Sequence, residues 1–93
     1  MNQDNLYQFP ATRFVCNPVW RQWWHLVSEV LELGWELLRR NWQRAANESW
    51  DISQDQETMR RILAGRGADV ALARETIIGN NRERGYYIPK GSR

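Results

Sequence analysis

VWRQWWHLVSEVLELGWELLRR, residues 19–40, reads as one long amphipathic helix. At about 100° per residue, Arg21, His25, Ser28, Glu29, Glu32, Glu36 and Arg39 fall within an arc of roughly 120°. The rest of the circumference carries Trp20, Trp23, Trp24, Leu26, Val27, Val30, Leu31, Leu33, Gly34, Trp35, Leu37 and Leu38. An apolar surface that wide predicts a helix packed on most of its sides, with one polar stripe left over. Three glutamates run down the middle of that stripe. Just ahead, Asn17-Pro18 is a helix start: a capping residue followed by proline at the first helical position.

Downstream, Arg39-Arg40 ends this helix, and Asn41 caps a second one running roughly from Trp42 to Leu63. Trp42, Ala45, Ala46, Ser49 and Ile52 lie on one side of it. Glu48, Asp51 and Asp55 share the other by their i, i+3, i+7 spacing. Gly65-Arg66-Gly67 is a break. A third helix follows from about Ala68 to Arg82, with Val70, Leu72, Ala73, Ile77 and Ile78 as packing residues and Gly85 closing it. Residues 1–17 lack a period and predict an extended arm anchored by Tyr7, Phe9 and Phe14. Residues 18–88 form a single helical domain, and residues 89–93 a polar tail. The fold class is all-α, a small antiparallel helical bundle. A domain of this size leaves large helical faces that oligomerisation completes.

Composition narrows the function. Ninety-three residues make one domain, and 42% apolar with 12% aromatic content is globular rather than disordered. No run approaches the roughly 18 apolar residues of a membrane span, and the N-terminus does not read as a signal peptide. One cysteine, Cys16, and one histidine, His25, argue against a disulfide framework or a zinc-enzyme site and for a reducing, cytoplasmic setting. The net charge of +2 conceals an asymmetry. Residues 1–59 hold eight acids against five bases, whereas residues 60–93 hold eight bases against three acids.

The acids are placed in mirror order. Glu29/Glu32 and Glu48/Asp51 are each spaced i, i+3, so each pair shares a helical face. Residue 40 is the midpoint both of 32 and 48 and of 29 and 51. An antiparallel hairpin turning there sets Glu32 level with Glu48, and Glu29 level with Asp51. Four carboxylates so gathered repel one another unless a cation joins them. Oxygen-only ligands suit Mg²⁺, or Mn²⁺ in its place, bound together with waters and substrate phosphates. Such an ion activates water for attack on phosphorus, and the arginine-rich third helix supplies charge complementary to a polyphosphate. Against this stands a plain reading of each pair alone: a solvated face, with Arg44 pairing Glu48 across one helical turn.

The stretch from His25 to Arg40, continued by Ala-Ala-Asn-Glu-Ser-Trp-Asp-Ile at 45–52, resembles the MazG-type all-α nucleoside triphosphate pyrophosphohydrolases. Their signature is an ExxE and, after a variable spacer, an ExxD. Here it is Glu29-x-x-Glu32, fifteen residues, then Glu48-x-x-Asp51. Asn80-Asn81-Arg82-Glu83-Arg84-Gly85-Tyr86-Tyr87 also resembles the N-x-x-R-G-Y-Y ending of small phage-like and mobile-element members. The likeness spans roughly residues 20–87. It implies that Glu29, Glu32, Glu48 and Asp51 are metal ligands and catalytic, with Asn81 and Arg84 near the substrate phosphates or nucleotide. It also implies a dimer or tetramer hydrolysing a nucleoside triphosphate to the monophosphate and pyrophosphate. Two positions depart from the pattern. Ser28 stands where many members have another glutamate. Asn80 stands where a phosphate-binding lysine is common, so that role either passes to Arg82 or Arg74 or is lost.

Other residues carry two readings each. His25, one turn before Glu29 on the polar stripe, either contacts substrate or makes a structural hydrogen bond. The six tryptophans between Trp20 and Trp50 suit a core or subunit interface better than a base-stacking platform. Arg60, Arg61, Arg66, Arg74, Arg82, Arg84 and Lys90 could serve a non-catalytic helical regulator or phage-type inhibitor that binds protein or nucleic acid. No recognition-helix pattern accompanies them, which disfavours nucleic acid.

Overall fold

The computed structural model describes residues 6–89, so residues 1–5 of the predicted arm, and Lys90 with the rest of the polar tail, lie outside the described residues. The chain is all-α. A short 3₁₀ turn, Arg13–Cys16, leads into three helices: α1, Val19–Leu38; α2, Trp42–Gly65; and α3, Val70–Glu83. Helices α1 and α2 pack antiparallel along their length, and α3 touches α2 only lightly.

The helix ends explain the small differences from the expected limits. Asn17 does not cap α1. Pro18 takes the cap position without a side-chain bond, because the Asn17 backbone N–H closes the preceding 3₁₀ turn on the Phe14 carbonyl at 2.9 Å. Helix α1 ends at Leu38 rather than Arg40, since Arg40 adopts a left-handed φ of 58°. There the Arg40 N–H donates to the Leu37 carbonyl at 3.1 Å and the Asn41 N–H to the Glu36 carbonyl at 3.0 Å. This is the six-to-one, five-to-two closure that satisfies the last free carbonyls of a helix. Asn41 then caps α2 as expected, its Oδ1 accepting from the Arg44 N–H at 3.2 Å. The third helix begins at Val70, two residues later than expected, because the Asp69 carboxylate accepts from the Leu72 N–H at 2.9 Å.

Packing inverts the usual order of inside and outside. The only buried apolar residues among those described are Ala45 and Ile62, whereas Gln22, Glu36, Asp55, Glu57 and Thr58 are all buried. The apolar face of α1 looks outward: Trp20 is 73% exposed, Trp24 67%, Leu31 69% and Leu38 80%. The expectation that α1 is packed on most of its sides therefore fails within one chain. The less exposed side of α1 combines Gln22, His25, Glu29 and Glu36 with half-buried Leu26 and Leu33, while Arg21, Ser28, Glu32 and Arg39 of the polar stripe are exposed. The radius of gyration is 15.6 Å, against about 12 Å for a compact chain of this length. Accessible surface is 7614 Å², roughly 2,000 Å² more than a compact monomer of this mass exposes.

Residues before α1 strap onto a second face of α2. The Glu57 carboxylate accepts from the Gln8 N–H at 2.9 Å and the Phe9 N–H at 3.0 Å. Arg61 Nη2 donates to the Phe9 carbonyl at 2.8 Å, and its guanidinium lies 4.0 Å from the Tyr7 ring centroid. Phe9 meets Trp50 edge-on, and Phe14 lies tilted against His25. A third face of α2 lines an open groove against α3, with Gln56, Arg60, Val70, Ala73 and Ile77 among its walls. Among the described residues no helix is long and apolar enough to cross a membrane.

Candidate metal centre

The tight turn at Arg39–Asn41 sets the register of the hairpin, and the polar residues of the two helices meet in levels. Glu29, Glu48 and Asp51 come together, each offering a carboxylate oxygen within 4.8 Å of the others. Glu32 is exposed and lies within hydrogen-bonding reach of Glu48 on its other side. Of the four carboxylates expected to converge, three share this spacing, and Glu32 is not among them. The structure adds a further level: His25 lies opposite Asp55, at positions that again average 40.

The electrostatics are those of an anionic pocket whose nearest basic group is His25 at one end. The pKa of Glu48 is raised above its ordinary value, first by hydrogen bonding with the neighbouring Glu29 carboxyl. Burial and the charges of Glu29 and Asp51 raise it further, while a hydrogen bond with Glu32 pulls the other way. Asp55 is raised by burial, opposed by His25 and reinforced by the charge of Asp51. No arginine acts on either group. Arg44 makes no ion pair with Glu48 among the described residues, so the surface pairing that would explain Glu48 away does not form. Glu48 Oε2 and Asp55 Oδ2 are buried without a hydrogen-bond partner. Each such oxygen costs on the order of 1–3 kcal/mol unless something fills the gap.

A hard cation fits this donor set. Ligands on opposite sides of Mg²⁺ stand about 4.2 Å apart, twice a bond of about 2.1 Å. Adjacent ligands stand about 3.0 Å apart, so oxygens within 4.8 Å of one another reach a common ion by side-chain adjustment, and they come from two helices. Glu29, Glu48 and Asp51 could hold the ion directly, with Glu32 beside Glu48.

The remaining sequence candidates are not brought to the carboxylates. Asn81 is half-buried on α3, and Arg82 and Arg84 are exposed at its end. The Arg84 guanidinium lies over the Tyr86 ring, 6.0 Å from its centroid. No hydrogen bond or ion pair joins any of the three to the cluster among the described residues. Arg74 pairs with its neighbour Glu75. Ser28 turns back on its own helix, its hydroxyl donating to the His25 carbonyl at 2.7 Å. The third glutamate of the stripe, Glu36, is buried beyond the cluster and sits 3.8 Å from Arg39. Cys16 is exposed. The tryptophans of α1 form no core in this chain.

One residue escapes a reading confined to the two i, i+3 pairs, namely Asp55. The signal for it is the same mirror arithmetic carried one level further, where it meets His25. Comparison with protein-family models, with curated proteins and with solved structures finds no match for this chain.

Proposed function

We propose that the chain is a Mg²⁺-dependent nucleoside triphosphate pyrophosphohydrolase, converting a (d)NTP and water to the (d)NMP and pyrophosphate. One observation carries this reading: three carboxylates from two helices come together, one of them with a buried, unpartnered oxygen at Glu48, and no arginine or lysine pairs with them among the described residues. The resemblance of Glu29-x-x-Glu32 and Glu48-x-x-Asp51 to the MazG-type signature points to the same chemistry. A bound Mg²⁺ would engage phosphate oxygens and lower the pKa of a water for attack on the anhydride. The carboxylates set its position. Because the Glu48 pKa is raised, cation binding should strengthen as pH rises through it.

The phosphate-binding charge comes from Arg82 and Arg84, with Asn81 beside them and His25 at the edge of the cleft. They reach a carboxylate cluster in an assembly of two or four copies, where α3 of one chain meets the hairpin of another. The surplus of roughly 2,000 Å² of accessible surface matches the area per subunit that obligate interfaces bury. The outward tryptophans of α1 fit that use. The setting is cytoplasmic.

The test is direct. Pyrophosphate release is measured from a panel of canonical and damaged (d)NTPs with Mg²⁺, for the native chain and for Glu32→Gln and Glu48→Gln. Turnover is expected only in the native chain, with at least a 100-fold loss in Glu48→Gln. No turnover above the variants on any nucleotide overturns the proposal in favour of a non-catalytic helical regulator.

A further inference from the structure

The chain's one histidine lies at the far end of the seam from the turn. Its Nδ1 is 3.6 Å from Asp55 Oδ1 and its Nε2 is 3.5 Å from Glu29 Oε1. Both separations are longer than a good hydrogen bond. Yet one ligand atom from each of His25, Glu29 and Asp55 lies within 4.8 Å of the other two. The three are close enough to share a ligand and too far apart to satisfy one another.

A second observation points the same way. Asp55 is only 9% exposed, and its Oδ2 is buried with no partner. A fully buried Gln22 donates its Nε2 to the Asp55 backbone carbonyl at 3.1 Å, fixing the chain behind that carboxylate. The Phe14 ring shields the imidazole from the other side, with centroids 5.8 Å apart. A buried carboxylate with one oxygen towards an imidazole and the other left without a partner has the donors of a ligand.

We infer that His25, Glu29 and Asp55 form a second cation site, specific for a first-row transition ion such as Zn²⁺, sharing Glu29 with the carboxylate cluster. The imidazole sets the preference. Nitrogen donors suit Zn²⁺, Ni²⁺ and their neighbours, whereas Mg²⁺ prefers oxygen and keeps its waters. Gln22 and Phe14 supply the rigid surroundings that keep ligand side chains in place. The inference rests on the seam geometry and is independent of what, if anything, the carboxylate cluster hydrolyses.

A single histidine makes the experiment unambiguous. An untagged chain carrying Cys16→Ser, which removes the competing thiol, is labelled with ¹⁵N. Its imidazole signals are then followed at neutral pH against Zn²⁺ and, separately, Mg²⁺. The expected result is a shift complete at one equivalent of Zn²⁺, and no comparable shift at a hundredfold excess of Mg²⁺. His25→Gln and Asp55→Asn should each weaken Zn²⁺ binding at least tenfold by calorimetry. Imidazole signals unmoved by ten equivalents of Zn²⁺, or equal Zn²⁺ affinity in a folded His25→Gln, would overturn the site. Should neither variant fold, the titration of the Cys16→Ser chain decides alone. A normal Zn²⁺ response in a chain without nucleotide turnover overturns the hydrolytic reading and leaves this one standing.

Discussion

The two sides of α1 make opposite uses of burial. The side nearer α2 carries Gln22, His25, Glu29 and Glu36, and Glu29 there raises the pKa of Glu48. The side facing outward carries Trp20, Trp24, Leu31, Trp35 and Leu38, all more than half exposed. In a self-sufficient monomer these roles are exchanged, because apolar burial is the main force that closes a fold. The inner face is thus costly for stability, while the outer face holds stabilising area that the lone chain does not use. An uncompensated interior and an uncovered exterior in one helix are complementary deficits. In the proposed function a cation relieves the first, and a second copy of the chain relieves the other.

Perturbing the outer face should have the larger effect. Trp24→Glu combined with Leu31→Glu is expected to leave a monomer in sedimentation where the native chain forms the proposed assembly, and to lower Tm by about 10 °C or more. An unchanged sedimentation coefficient with unchanged Tm would mean that this face covers nothing. At the inner face the sign should reverse. Glu48→Leu removes a carboxylate whose charge is disfavoured, so the metal-free chain should gain stability on the order of 1 kcal/mol in urea unfolding. It should also lose any stabilisation by Mg²⁺. A destabilised Glu48→Leu chain would show that the seam does not store repulsion.

A smaller effect concerns pH. Glu48 and Asp55 have raised pKa values in the fold, so the folded state holds protons that the unfolded chain releases. Their contribution to stability is complete below the unfolded values of about 4, and it is lost as pH rises through the raised ones. The metal-free chain should therefore melt at a lower temperature at pH 7 than at pH 5, and saturating Mg²⁺ should narrow or reverse that difference. Thermal melts of the native chain and Glu48→Gln, with and without chelator, check this. A difference that Glu48→Gln leaves intact belongs to other groups.

Much of this was legible in the residues themselves. The helical period placed His25, Glu29, Glu32 and Glu36 on one stripe, and Asn41 marked the turn from which the pairing follows. The face that looks to solvent was not legible. Periodicity groups residues by direction around an axis, but the choice of which direction meets α2 depends on what the outer face meets. The same holds for Asn81, Arg82 and Arg84. Their place relative to the carboxylates depends on how α3 leaves the Gly65–Asp69 turn and on contacts beyond the single chain. The Asp55 level was present in the numbering, but a search confined to i, i+3 pairs passes over an acid whose partner is a histidine.

The left-handed Arg40 has a consequence for how this chain can vary. Glu32 with Glu48, Glu29 with Asp51, and His25 with Asp55 are all counted from that one closure, in which a non-glycine residue holds φ at 58°. A residue inserted before His25 or after Asp55 leaves all three levels matched. One inserted at the turn shifts them together, like a ruler whose zero has been moved. Tolerance of length should therefore be lowest at the point most distant from His25 and Asp55, on an exposed bend that itself binds nothing.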